Sequence, residues 1–191
     1  MWITIGRQTI DIIVAAAKYA YDQSLKKLSV WDWVIAAVLF SLCCFFLRKT
    51  ALKKMSAIRL SVLISYVYII LMFAVFRREA EPDLFHRTTP FWTYIEVFRN
   101  GQTYLLLECI LNVVMLVPLG YFLRGLHVKF IWTLAAALIM SYMIEFLQLM
   151  LNRGTFELFD DPFHNVLGAA LGYGLMMLAE RYKNDYSRKA G

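Results

Sequence analysis

Five long apolar runs, separated by short clumps of charge, constrain this chain more than any other feature. Crossing the hydrocarbon of a bilayer takes about 20 mostly apolar residues as a helix. Val30–Leu47, Leu60–Phe76, Tyr104–Leu123 and Phe130–Leu151 approach or reach that length, and Pro162–Ala179 is shorter and glycine-rich. Only 18% of the 191 residues are charged against 60% hydrophobic, too few to coat a water-soluble domain of this size. The expected fold is therefore all-α, a polytopic helical membrane protein of about five transmembrane helices. Trp31, Trp33, Tyr104, Tyr121, Trp132 and Tyr182 mark span edges, as an interfacial aromatic belt requires.

Residues 1–29 differ. Arg7, Asp11, Lys18 and Asp22 interrupt them too often for a span, while Ile10, Ile13, Val14, Ala17 and Tyr21 recur at helical spacing. An N-terminal amphipathic helix lying at the interface is the expectation, without a cleaved signal peptide. The organisation is then an interfacial segment (1–29), a five-helix bundle (30–179) and a basic tail (180–191).

Charge bias orients the bundle. The loop after the first span carries Arg48, Lys49, Lys53, Lys54 and Arg59; the loop after the third carries Arg124 and Lys129; the tail carries Arg181, Lys183, Arg188 and Lys189. Such segments stay in the cytoplasm, which places the protein in the plasma membrane with its N-terminus outside and its C-terminus inside. The net charge of +6 is thus spent beside membrane spans. No basic stripe interleaved with aromatics exists to bind nucleic acid. Cys43, Cys44 and Cys109 have neither disulfide nor zinc spacing and read as packing residues.

An ionisable group inside a span costs at least a few kcal/mol, so each one asks for a partner or a purpose. Glu108 and Asn112 stand four apart in the third span, Glu145 and Gln148 three apart in the fourth. Ser141 and Asn152 fall on the same face as the latter pair. Asp161, His164, Asn165 and Gly168 open the fifth at similar spacing. All three stripes occupy the outer half of the membrane, close to Arg77, Arg78 and Arg153. The candidate ligand-binding set is Arg77, Glu108, Asn112, Glu145, Gln148, Arg153, Asp160, Asp161 and Asn165, and Glu145, Asp161 and His164 are candidates for catalysis. An arginine fork suits carboxylate or phosphate. Internal pairing of Glu108 and Glu145 with Arg77, Arg78 or Arg153, which would fix the bundle without binding anything, stands beside that reading. A metal site from Glu157, Asp160, Asp161 and His164 lacks any known ligand spacing, so neither metal nor cofactor is expected. Gly168, Gly172 and Gly174, with Ala169 and Ala170, form a small-residue face for close helix packing, and Pro118 is expected to kink the third span.

The runs ECILNVVMLVPLGYFL (Glu108 to Leu123), SYMIEFLQLMLNRGTFE (Ser141 to Glu157) and DDPFHNVLGAALGY (Asp160 to Tyr173), preceded by TPFWTY (Thr89 to Tyr94), resemble the VanZ-like family over residues 77–173. Arg87 stands where that family often has an Asn before its Pro-Phe pair. The resemblance implies a bacterial membrane protein of the cell envelope, associated through the family's namesake with resistance to the glycopeptide teicoplanin. Membrane lipids and an anionic envelope precursor or a glycopeptide are the partners it suggests. Two functions remain open: a non-enzymatic protein that lowers antibiotic susceptibility, and an intramembrane enzyme using Glu145 and Asp161 (or His164) as acid and base on a lipid-linked envelope substrate. A transporter or channel is disfavoured, because polar groups confined to one half of the bilayer leave no through-path.

Overall fold

The computed structural model describes residues 18, 27–50, 52–79, 86–102, 104–153 and 156–190. The expected interfacial helix at the N-terminus lies outside the described residues. Helix α1 spans Val30–Leu47 and α2 spans Lys54–Leu71, continuing into a π-turn at Met72–Phe76. A short helix α3 (Trp92–Asn100) precedes α4 (Leu105–Gly125) and α5 (Phe130–Met150), and α6 runs through Asp160–Ala190. Two two-residue strands, β1 (His86–Arg87) and β2 (Phe156–Glu157), pair in parallel with His86 opposite Phe156 and Arg87 opposite Glu157. The fold is all-α and membrane-embedded, apart from this small clasp between two loops.

Among the described residues, four helices are long and apolar enough to cross a membrane: α1, α2 with its π-turn, α4 and α5. Helix α6 is long enough but less apolar, because Asp160, Asp161, His164 and Asn165 open it and its exposed end carries Arg181, Lys183, Asp185 and Arg188. It packs most extensively on α4 and next on α5, while α1 leans on α2. Leu63, Ile70, Ala74, Val75, Leu116, Leu119, Ala137, Met140, Ile144 and Ala169 form the shared core.

The α4–α6 approach is backbone to backbone. A Cβ on Gly168 would stand 2.0 Å from the Val113 carbonyl oxygen, and one on Gly172 would stand 1.8 Å from that of Val117. Gly120 of α4 answers with the same closeness, 1.8 Å, to the carbonyl oxygen of Ala169. The expected small-residue face is therefore real at Gly168 and Gly172. Gly174 does not belong to it, since a Cβ there meets open space; two residues on from Gly172, it has rotated about 200° around the helix. Helix α4 continues through Pro118, and in the same turn the Tyr66 hydroxyl donates to the Met115 carbonyl at 2.6 Å.

Buried hydroxyls along the rest of the bundle bond to their own helices. Ser61 donates to Ala57, Ser65 to Ser61 and Thr133 to Lys129 carbonyls, which keeps them harmless in a low-dielectric interior.

Candidate functional site: a carboxyl cluster under a two-strand clasp

Helix α6 begins where four polar side chains radiate to three other helices. Asp160 and Asp161 favour that end because carboxylates complement the positive N-terminus of a helix, and Pro162 fits the first turn, where no amide hydrogen is missed. Residues 160 and 164 lie four apart on one face, and both turn to α3. The Asp160 carboxylate accepts from the backbone N–H groups of Phe91 at 2.7 Å and Thr93 at 2.8 Å, capping α3 from another element. His164, 3% exposed, shares a 2.8 Å hydrogen bond between its Nε2 and the Tyr94 hydroxyl. Burial also lifts the Tyr94 phenol above its ordinary pKa. Phe91 holds the left-handed conformation (φ 57°), which an aromatic residue adopts only when its surroundings enforce it.

The next pair, 161 and 165, turns to α4 and α5. Asn112 donates to Asp161 at 2.6 Å, and Asn165 donates to the Ser141 hydroxyl at 2.8 Å. The side chain of Glu145, 2% exposed, lies beside that of Asp161, each carboxyl within the other's field. Neighbouring carboxyls of this kind can share a hydrogen bond only when one carries a proton, because the ionised form is an acceptor alone. The same Glu145 accepts from the Glu157 backbone N–H at 2.8 Å and so holds strand β2 in place.

Glu157 completes the cluster from above. Arg87 Nη1 lies 2.5 Å from its Oε1, and the Arg87 guanidinium stacks on the Trp92 ring at 3.8 Å. Burial pushes the Glu157 carboxyl above its ordinary pKa, with Arg87 pulling the other way. Glu108, one turn before Asn112, adds its field to Glu157 and Asp161. Five acidic groups thus crowd together (Glu108, Glu145, Glu157, Asp160 and Asp161), with Arg87 in contact and Arg78 acting on Glu145 and Asp161 through space. The site is acidic on balance.

The sequence-predicted residues divide into two groups. Glu108, Asn112, Glu145, Asp161 and the helix-start residues Asp160, His164 and Asn165 gather at one end of the bundle. Arg77, Gln148 and Arg153 have other engagements. Arg77 grips Asp32 of α1 through Nε at 3.0 Å and Nη2 at 2.9 Å, rather than a carboxylate of the cluster. Gln148 Nε2 donates to the Ala74 carbonyl at 2.8 Å, and Arg153 donates to the Phe76 carbonyl. Both acceptors lie in the π-turn, where Arg77 N reaches back five residues to the Met72 carbonyl at 2.8 Å. The wide turn leaves carbonyls outside the regular helical ladder, and side chains around the end of α5 take them up. Asn152, expected on the polar face of the fourth span, instead ends α5 exposed with φ 52°.

Asp32, Arg87, Trp92 and Tyr94 were not among the candidate site residues. A signal existed for Asp32: it stands three residues after Ser29 at the head of an apolar run, a capping-box spacing, and it accepts from the Ser29 N–H at 2.8 Å. Arg87 stood out only as a departure from the family's Asn, and nothing local points to its partner 70 residues away.

These features define a class: a polytopic helical membrane protein with a buried carboxyl cluster at one end, closed by a paired-loop clasp. The model of the VanZ/LLP1 family matches residues 31–180, from the first apolar helix to the end of the bundle, and the chain belongs to that family. No curated protein and no solved structure matches the chain at a significant level.

Proposed function

We propose that this chain is a cell-envelope protein of the plasma membrane whose carboxyl cluster faces outward, and that it lowers susceptibility to glycopeptide antibiotics such as teicoplanin. The charge of the loops supports that orientation: the Lys/Arg-rich segments after α1, after α4 and in the tail would stay in the cytoplasm, with the N-terminus outside and the C-terminus inside. The observation that carries the reading is the meeting of Glu145, Asp161 and Asn112, from three helices, beneath the β1–β2 clasp. Ionised or proton-sharing groups are expensive at this depth, and a bundle needing only stability does as well or better with apolar residues. Membership of the VanZ/LLP1 family supports the reading through the envelope role that likeness to VanZ implies. The acidic balance suits a ligand that presents amines, amides or hydroxyls, and an anionic precursor fits it less well.

The test is antibiotic susceptibility of a glycopeptide-sensitive bacterium expressing the chain, with membrane-inserted protein quantified in parallel. A several-fold rise in the inhibitory teicoplanin concentration, lost in Glu145→Gln and Asp161→Asn at equal protein levels, supports the proposal. No difference between the wild-type chain and an empty vector overturns it.

The closeness of the Glu145 and Asp161 carboxyls favours a second reading, an intramembrane enzyme acting on a lipid-linked or envelope substrate. Paired buried carboxyls can divide the work, one as general acid and the other as base. Mass spectrometry of envelope lipids from cells with and without the chain separates the readings. A species that changes with the wild-type chain but not with Glu145→Gln supports catalysis, and identical lipid profiles reject it.

A further inference from the structure

The opposite end of the bundle carries an open cleft of about 590 Å³ between α2, the α4–α5 turn and the last turns of α6. Arg59, His127 and Lys183 line it, with Tyr121 and Met176 forming an apolar floor. The one carboxylate on its wall, Glu180, is already held by Arg124 at 2.6 Å. Arg59 gives one N–H to the Gly125 carbonyl and keeps the rest of its fork. Among the described residues, no carboxylate pairs with Lys183 or His127. His127 is exposed on the turn at φ 63°. Positive charge in this corner therefore exceeds negative.

Its level in the membrane narrows what it can take. From Asp161 to Lys183 along α6 is about 33 Å at 1.5 Å per residue, close to the roughly 30 Å of bilayer hydrocarbon. If the carboxyl cluster sits near one surface, the cleft sits at the headgroup level of the other. Basic pockets between transmembrane helices at that level recognise lipid phosphates, while an apolar floor accommodates the first carbons below the headgroup.

We propose that this cleft binds the phosphate headgroup of an anionic phospholipid. Arg59 and Lys183 carry the phosphate, His127 hydrogen-bonds it, and the glycerol backbone rests on Tyr121 and Met176. A free phosphate-bearing solute has the same anionic chemistry but gains nothing from the apolar floor.

Native mass spectrometry of the full chain in detergent tests the proposal, using short-chain phosphatidylglycerol, phosphatidylcholine and glycerol phosphate as probes. Phosphatidylglycerol should be retained in clear preference to phosphatidylcholine. One lost cation near the lipid surface corresponds to about a fivefold loss of affinity, so Lys183→Gln should show that loss and Lys183→Gln with His127→Gln a larger one. Lys49→Gln, a basic residue outside the cleft, should leave binding unchanged. Equal retention of the two lipids, or the same loss in Lys49→Gln, overturns the site in favour of diffuse surface charge. Displacement of the lipid by equimolar glycerol phosphate overturns the headgroup assignment. All three variants alter exposed side chains, and an unchanged thermal midpoint establishes that each is folded.

Discussion

Arg77 closes a two-pronged grip on Asp32, its Nε and Nη2 lying 3.0 and 2.9 Å from the two carboxylate oxygens. This pair fastens α1, which otherwise offers the bundle little but its contact with α2. The two partners differ in burial: Asp32 is 2% exposed, whereas the Arg77 side chain is 41% exposed. Removing the arginine strands a buried carboxylate, but neutralising the aspartate frees a guanidinium that reaches water. Arg77→Ala is therefore expected to lower the thermal midpoint in detergent more than Asp32→Asn does, with Arg77→Lys between wild type and Arg77→Ala because it keeps charge but loses the fork. Equal midpoints for Arg77→Ala and wild type would show that the pair holds nothing together.

Asp160 acts on α3 much as an N-cap residue does, although it comes from α6. Losing such a cap typically costs about 1–2 kcal/mol, and Phe91 depends on it for a backbone conformation it would not choose alone. Asp160→Ala should lower hydrogen-exchange protection of the α3 amides about five- to thirtyfold. Protection in α5 should stay as it was. Unaltered exchange at Thr93 would mean that other contacts hold α3.

The division between what the sequence reveals and what it hides follows the range of each interaction. Apolar runs are legible because lipid demands them locally, and Glu108, Glu145 and Asp161 stand out because each breaks such a run. The Ser29–Asp32 spacing was equally local and could be read the same way. Arg87 with Glu157, Asp160 with Thr93 and Tyr94 with His164 join residues about 70 positions apart. No window of sequence holds both members of such a pair. Arg77, Gln148 and Arg153 mislead for a related reason. Their charge and polarity are visible, but the π-turn carbonyls and the aspartate that engage two of them with backbone and one with α1 appear only when the helices are assembled.

Glycines separated by a few residues on α6 provide a matched test of packing. Gly168→Ala introduces a Cβ 2.0 Å from the Val113 carbonyl oxygen, so the two helices must part. Overpacking of this kind costs about 1–3 kcal/mol or more. Gly174→Ala meets nothing and gains up to about 1 kcal/mol of helix propensity. Thermal unfolding in a single detergent should therefore move in opposite directions for the two variants. A shared direction would contradict the backbone contact between α4 and α6.

Glu157 gives the clasp a pH dependence whose sign can be worked out. Burial raises its pKa in the folded protein above the ordinary value of 4.5, and the negative fields of Asp160 and Glu108 work in the same direction against the pull of Arg87. Folding thus favours the protonated carboxyl. For a carboxyl shifted this way, the stabilising contribution is full below the unfolded pKa and disappears as pH rises through the folded one. Amides of residues 86–87 and 156–158 should accordingly exchange faster at neutral than at mildly acidic pH, once intrinsic rates are divided out. Glu157→Gln, which cannot ionise, should flatten that dependence while keeping a hydrogen-bonding group beside Arg87. Protection that instead climbs with pH in the wild-type chain would mean that the Arg87 charge outweighs burial, and that the clasp is fastened by the ion pair rather than loosened by ionisation.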